Sequence, residues 1–211
     1  MIPKIIHYCW FGGNPLPELA QKCIASWRKY LPDYEIWQWG ENVNDPTPTL
    51  PSGGRANPNA GANALFDRVM GFDVEMIPFT AEAYRQKKYA FVSDYARFWI
   101  LYKYGGLYFD TDVEVIRPLV DIIGRGNFMG FELDPDGENS PEKYAPRYAF
   151  AVNPGVGLGM EKEHPFLKRM LDKYAHLEYE TPVFPWGKTI VAYTTEELCK
   201  LGLKMLQGYK R

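Results

Sequence analysis

The chain has 211 residues, 46% of them hydrophobic and 16% aromatic, with 24 basic against 26 acidic side chains and a net charge of −2. That length and apolar content support one domain, residues 1–211, with a substantial core. The charges are well mixed, and nothing suggests a nucleic-acid surface or a polybasic membrane patch. No run approaches the ~20 apolar residues of a membrane span. The N-terminus enters a strand-like run at once and lacks a secretory pattern. Cys9, Cys23 and Cys199 are odd in number and unrelated in spacing. They fit buried thiols in a reducing compartment better than a disulfide frame or a zinc site. The expected setting is cytoplasmic, with peripheral visits to the inner face of a membrane.

Strands and helices alternate along the chain. Ile5–Trp10 reads as a buried strand that ends in Gly12-Gly13. Pro17–Tyr30 has helical periodicity, with Leu19, Cys23 and Trp27 at i, i+4, i+8. Tyr34–Trp39 reads as a second strand. Residues 44–64 are rich in Pro, Gly, Asn and Ala and can bury no face, so they are expected to form a loop, either an active-site flap or an insertion. Tyr89–Tyr104 reads as a helix stopped by Gly105-Gly106. Leu107–Phe109, Val113–Ile116, Asn127–Glu132 and Tyr148–Asn153 read as strands, and Pro165–His176 and Thr195–Leu201 as helices. Thr194 or Thr195 is the expected cap of the last helix. This β-α-β opening predicts an α/β fold with a central, mostly parallel sheet flanked by helices. Sites in such folds lie at the carboxyl ends of strands, where Trp10 and Asp110 fall.

The segment from Phe91 to Pro118 carries the chemistry. Its Asp110-Thr111-Asp112 delivers two carboxylates at a strand end. In an extended chain, side chains at i and i+2 share a face roughly 6–7 Å apart. A divalent cation carrying a diphosphate needs one or two such ligands, the rest coming from phosphate and water. On the preceding helix Phe91, Tyr95, Phe98 and Tyr102 form an aromatic stripe expected to face the core. Asp94 and Arg97 share another face at i and i+3. They are either a solvated ion pair or part of the carboxylate cleft, and the apolar flanks of the helix favour the cleft. Asp134-Pro-Asp136 repeats the spacing inside a Pro- and Gly-rich loop and reads as a solvated turn. Of the histidines, His7 reads as a satisfied core residue and His176 as surface. His164 reads as a helix cap or a neighbour of the acceptor.

Residues 91–119 resemble the DXD region of family 32 glycosyltransferases. That family includes bacterial capsular-polysaccharide and lipopolysaccharide transferases and yeast mannosyltransferases, with the clostridial glucosylating toxins as distant relatives. Residues 3–13 and 26–36 are similar to the opening blocks of the same family. The resemblance implies a GT-A fold and a sugar transferase, and it assigns roles position by position. Trp10 would stack on the nucleotide base. Asp94 and Arg97 would hold the donor sugar hydroxyls and the leaving-group side, with Tyr108 close to the sugar and diphosphate. Asp110 would reach the sugar or ribose, and the metal through water, and Asp112 would bind the metal directly. The implied cofactors are Mn²⁺ or Mg²⁺ and a nucleotide-sugar, with UDP-hexose first in line. The implied acceptor is a saccharide or a lipid-linked glycan in bacterial surface-polysaccharide synthesis, with retention at the sugar.

Family members usually continue through a further strand and a late His/Ser-Trp segment, for which Pro185-Trp186-Gly187 is no convincing substitute. A non-catalytic nucleotide-sugar or glycan-binding module is therefore the alternative to a transferase. A glycoside hydrolase is third, since its two carboxyl groups normally flank the scissile bond about 5–9 Å apart.

Overall fold

Apolar residues on both faces of its central strands force the sheet into the middle of the molecule. The computed structural model describes residues 1–41, 55–56, 65–132, 151–180 and 189–203. Its elements are β1 (Ile5–Cys9), α1 (Glu18–Tyr30), β2 (Glu35–Glu41), β3 (Arg55–Ala56), β4 (Arg68–Phe72), α2 (Pro78–Arg85) and α3 (Tyr89–Tyr104). There follow β5 (Gly106–Tyr108), α4 (Val120–Ile123), β6 (Phe128–Phe131), β7 (Val152–Met160), α5 (Pro165–Ala175) and α6 (Ile190–Lys200). The sheet order is β3-β4-β2-β1-β5-β7-β6. Strands β4, β2, β1 and β5 run parallel and form the centre. β3 is antiparallel at one edge, and β7 and β6 are antiparallel at the other. The α/β class is therefore as expected, with the parallel part confined to the middle four strands.

Side chains alternate across that centre, as strand geometry requires. Ile6, Tyr8, Ile36, Leu107 and Phe109 pack with Cys23, Ile24 and Trp27 of α1. Cys9, Trp37, Trp39 and Tyr108 face the opposite way, onto Val92, Tyr95, Ala96 and Phe98 of α3. Burial on both faces explains why β1 reads as a continuous apolar run. Trp27 also donates Nε1–H to the Val113 carbonyl at 2.7 Å. Truncating a buried Trp of this kind typically costs ~3–5 kcal/mol. On the α3 side, Glu197 of α6 is gripped by Arg169 and Lys173 of α5 and by Lys200, which ties the last helix to its neighbour.

Several expectations need correction. The buried stripe of α1 is Ala20, Cys23, Ile24 and Trp27, and Leu19 is exposed. Leu19 lies about 80° around the helix from Trp27, off the buried stripe. Val113–Ile116 is no strand. Its backbone is pinned to α1 instead, with Val115 N–H donating to Ser26 Oγ at 2.9 Å. Strand β4 and helix α2 have no counterpart in the sequence reading. β7 begins near the expected strand at 148–153 but runs on through Pro154 and three glycines to Met160. Gly159 is there for close approach, since a Cβ would lie 2.2 Å from the Phe128 ring. Helix α6 starts at Ile190 because Ile190 and Val191 are buried. Its cap position is Thr189, while Thr194 is buried within the helix and Thr195 Oγ accepts from Val152 N–H at 2.8 Å. Cys9 and Cys23 are buried free thiols as expected, but Cys199 is exposed. Within 44–64 the described pair Arg55–Ala56 is a short strand on β4. The rest of that loop, Asp134–Asp136, Pro185–Gly187 and residues after Leu203 lie outside the described residues.

The three histidines behave as read. His176 is exposed, and His164 caps α5 by accepting Phe166 N–H at 3.3 Å. His7 is fully buried. Its Nε2 lies 2.9 Å from the Gly105 carbonyl, and its Nδ1 accepts from Trp39 Nε1–H at 3.1 Å. Nδ1 as acceptor makes Nε2 the protonated nitrogen and the ring neutral. Burial lowers its pKa from 6.5 to about 3, only partly opposed by the Gly105 bond. Between those values the unfolded chain binds a proton that the folded chain refuses, so His7 favours folding less as pH falls. The stability difference between the parent and His7→Gln is expected to be largest above pH 6.5. It should shrink on acidification by ~1.4 kcal/mol per pH unit, read by urea unfolding. A pH-independent difference would exclude a neutral buried imidazole.

Candidate active site

Two glycines fold α3 back against β5. Gly105 ends the helix with φ 65° and Gly106 follows with φ 109°. A Cβ on Gly105 would lie 2.7 Å from Lys162 N, and one on Gly106 would lie 2.6 Å from the Ile5 carbonyl oxygen. Only glycine meets both demands. Arg97 is eight residues before the turn, about 12 Å along a helix. Asp110 is five residues after it, about 16 Å along an extended chain. The hairpin therefore brings Asp94 and Arg97 level with the carboxyl end of β5, beside the carboxyl end of β1.

There one guanidinium serves two carboxylates. Arg97 Nη2 is 2.9 Å from Asp94 Oδ1 and 3.2 Å from Asp110 Oδ1, and Nη1–H donates to Asp110 Oδ2 at 3.3 Å. Arg97 Nε–H donates to the Ser93 carbonyl at 3.1 Å. The guanidinium carbon sits 4.8 Å from the centre of the Tyr108 ring, and Tyr108 O–H donates to Asp110 Oδ1 at 3.1 Å. The side chains are graded in depth: Arg97 is 3% exposed, Asp94 11% and Asp110 37%. Asp94 and Arg97 are thus no solvated pair, and Asp110 is the group that faces outward.

Burial raises the Asp94 carboxyl to about 7; Arg97 opposes this and Asp110 reinforces it. Burial alone would loosen the Arg97 proton, but Asp110, Tyr108 and Asp94 outweigh it and the guanidinium holds its charge more firmly than usual. Asp94 is therefore close to sharing a proton at neutral pH, while Arg97 stays charged. Burial also pushes the Cys9 thiol up to about 12, so it is no nucleophile.

The second carboxylate departs from the expected geometry. β5 ends at Tyr108, and Thr111 and Asp112 sit in a turn closed by Val113 N–H donating to the Asp110 carbonyl at 3.1 Å. Asp110 and Asp112 are thus not successive same-face positions of one strand. Asp112 is exposed. On the other side, Trp10 is half-buried just past β1. Its N–H donates to the Trp39 carbonyl at 2.7 Å, and its Nε1–H to the Asn14 carbonyl at 2.6 Å. The Glu41 carboxylate holds the glycine loop beyond it by accepting Gly12 N–H at 3.1 Å.

Two residues of the site escaped the sequence reading. Asp110 N–H donates to the Gly155 carbonyl at 2.9 Å, and Gly155 N–H donates to Asn153 Oδ1 at 2.7 Å. A Cβ on Gly155 would lie 2.0 Å from Asp110 Oδ2. The cradle around Asp110 thus requires glycine at 155, and Asn153-Pro-Gly155 was its signal. Asn153 Nδ2 also donates to Glu132.

Among the described residues no three His, Cys, Asp or Glu side chains cluster to hold a metal by themselves. What the corner offers is oxygen alone: exposed Asp112 and outward-facing Asp110. Carboxylate oxygens that leave most of the coordination shell to phosphate and water suit Mn²⁺ or Mg²⁺ and do not suit zinc. In donor chemistry the residues fit such an ion.

The chain is 25% identical over 213 residues to inositol phosphoceramide mannosyltransferase 1 of Schizosaccharomyces pombe, covering 94% of this chain and 52% of that protein. It is 26% identical over 197 residues to inositol phosphoceramide mannosyltransferase 3 of the same yeast, covering 88% of this chain and 42% of that protein. The chain thus spans about half the length of the curated relatives it matches. Among solved structures it is similar to the PaToxG glycosyltransferase, with a TM-score of 0.58 and 19% identity, covering 95% of this chain and 70% of that one. At that identity the likeness is one of fold, and it accords with the GT-A type. The family described as the glycosyltransferase sugar-binding region containing the DXD motif matches residues 17–129. That stretch exceeds half the chain and takes in Asp94, Arg97, Tyr108 and the Asp110–Asp112 turn, so the chain belongs to the family of DXD-containing glycosyltransferase sugar-binding regions.

Proposed function

We propose that the protein is a metal-dependent hexosyltransferase that moves a sugar from a nucleotide-sugar, UDP-hexose first in line, to a saccharide or lipid-borne acceptor. The observation that carries this reading is the convergence of Asp94, Arg97, Tyr108 and Asp110 beside the strand that ends in Trp10. In this reading Trp10 stacks on the base at the end of β1, and Asp110 and Asp112 hold Mn²⁺ or Mg²⁺. When bound, such an ion neutralises the departing diphosphate as a Lewis acid. Arg97 fixes the Asp110 carboxylate and places its guanidinium beneath the leaving group, a preorganised charge of the kind that commonly dominates catalysis. Asp94 accepts from donor sugar hydroxyls. No side chain of the cluster is placed as a nucleophile, which accords with retention through attack from the leaving-group face.

The yeast relatives, named as inositol phosphoceramide mannosyltransferases, favour a glycolipid acceptor and mannose as the transferred sugar. The bacterial capsular or lipopolysaccharide setting has no support from them. A cytoplasmic site at the inner face of a membrane stays part of the proposal. A hydrolase is disfavoured because Asp94 and Asp110 share one guanidinium and cannot work as separate acid and nucleophile across a glycosidic bond.

The test is a thermal-shift screen of UDP- and GDP-sugars with and without Mn²⁺, followed by mass spectrometry of products. A donor at 100 times its Kd adds about 2.7 kcal/mol to stability, a rise of about 5–11 °C for a chain of this size. Binding with no transfer to any glycan or glycolipid acceptor favours the non-catalytic binding module. No Mn²⁺-dependent shift with any donor removes the proposal.

A further inference from the structure

Just beyond the metal corner, residues 113–125 divide their apolar side chains between two sides. Val113, Val115, Leu119 and Ile123 turn inward onto the core around Ile24 and Trp27. Ile116, Val120 and Ile122 turn outward, 74%, 70% and 42% exposed. The core explains the first set and leaves the second without a partner among the described residues. Three exposed β-branched side chains within seven positions are a candidate contact surface. Arg117 and Arg125 flank them, both exposed, and neither has an ion pair among the described residues. Of the nearby acids, Glu114 is paired with Lys22 at 3.1 Å, and Asp121 is exposed on α4.

We propose that Ile116, Val120 and Ile122, with Arg117 and Arg125, dock the protein on an anionic lipid bilayer. Apolar side chains bordered by exposed guanidiniums match the headgroup region, where the former enter the acyl boundary and the latter reach phosphates. None of the described helices is long and apolar enough to cross a membrane. The patch continues directly from the proposed site. Ile116 is four chain steps from Asp112, so their Cα atoms lie within about 14 Å of each other. Docking there brings the metal corner to headgroup level, where a lipid-borne acceptor presents its sugar-accepting hydroxyl. This inference rests on the lipid-acceptor form of the proposed function, but lipid binding can be measured without donor, metal or turnover.

The experiment is co-sedimentation with phosphatidylcholine vesicles, with and without phosphatidylglycerol. The parent protein is expected to pellet with the anionic vesicles and less in high salt. Ile116→Glu/Val120→Glu should lower the partition coefficient at least tenfold. Arg117→Gln and Arg125→Gln should each lower it about fivefold. All variants should keep the parent melting temperature and its Mn²⁺-dependent shift with donor, so loss of docking and failure of the transferase reading give different results. Equal pelleting of parent and double variant would overturn the proposal. So would a parent dimer in equilibrium sedimentation that Ile116→Glu/Val120→Glu dissolves, since the patch would then belong to a second copy of the chain.

Discussion

Asp112→Asn is expected to weaken Mn²⁺-dependent donor binding at least ~100-fold in calorimetric titration while leaving the melting temperature unchanged. The magnitude follows from its proposed place as direct ligand, since loss even of an outer partner of a metal ligand costs roughly 10–100-fold. The unchanged stability follows from its setting. Asp112 is exposed in the turn after β5, and no described residue forms a hydrogen bond or ion pair with its carboxylate. Asparagine keeps the shape and removes only the charge that a hard cation needs. This separates Asp112 from Asp110, which Arg97, Tyr108 and the Gly155 carbonyl all hold, so that its loss would disturb binding and structure together. Unaltered Mn²⁺-dependent affinity in Asp112→Asn would sink the ligand assignment.

Legibility in the sequence tracks which physical signal each element used. Helix α3 was read to the residue, because an aromatic stripe marks its body and Gly105-Gly106 can only be a stop. Of the parallel centre, β1 was legible as a continuous apolar run and β2 and β5 as short strands, while β4 was not read. β7 was largely missed, because its Pro154 and three glycines look like loop, although Gly155 and Gly159 are there for close approach to Asp110 and Phe128. Asp94 and Arg97 could be paired from their i,i+3 spacing, and their burial followed from the apolar flanks. Asn153 and Gly155 left only an Asn-Pro-Gly mark that reads as a turn: one contributes through a backbone amide that it anchors, the other through a carbonyl and a missing Cβ. The strand geometry assumed for Asp110 and Asp112 failed for a related reason. A turn closed by the Asp110 carbonyl leaves no mark in a pattern of side chains.

Arg97→Met carries the largest expected loss of stability, about 3 kcal/mol at pH 8 by urea unfolding. Removing one partner of a buried ion pair costs ~3–5 kcal/mol because the other charge stays buried. Two features put this case at the lower end. Asp110 is partly exposed and water can solvate it, and Asp94 can take up a proton, since burial already holds its carboxyl near 7. Without Arg97 that carboxyl rises further. A raised folded-state pKa means that the native variant binds a proton the unfolded chain does not, so its stability falls as pH rises above the ordinary carboxylate range. The penalty of Arg97→Met should therefore be smaller at pH 5 than at pH 8. Asp94→Asn introduced into the Arg97→Met background should restore about half of it at pH 8 and little at pH 5, since an amide removes the buried charge only where that charge exists. Donor binding should not recover with stability, because Asp110 would still lack the guanidinium that orients it. Equal penalties at the two pH values would mean that Asp94 is not the group left stranded, and the arrangement of one guanidinium between two carboxylates would lose its energetic basis.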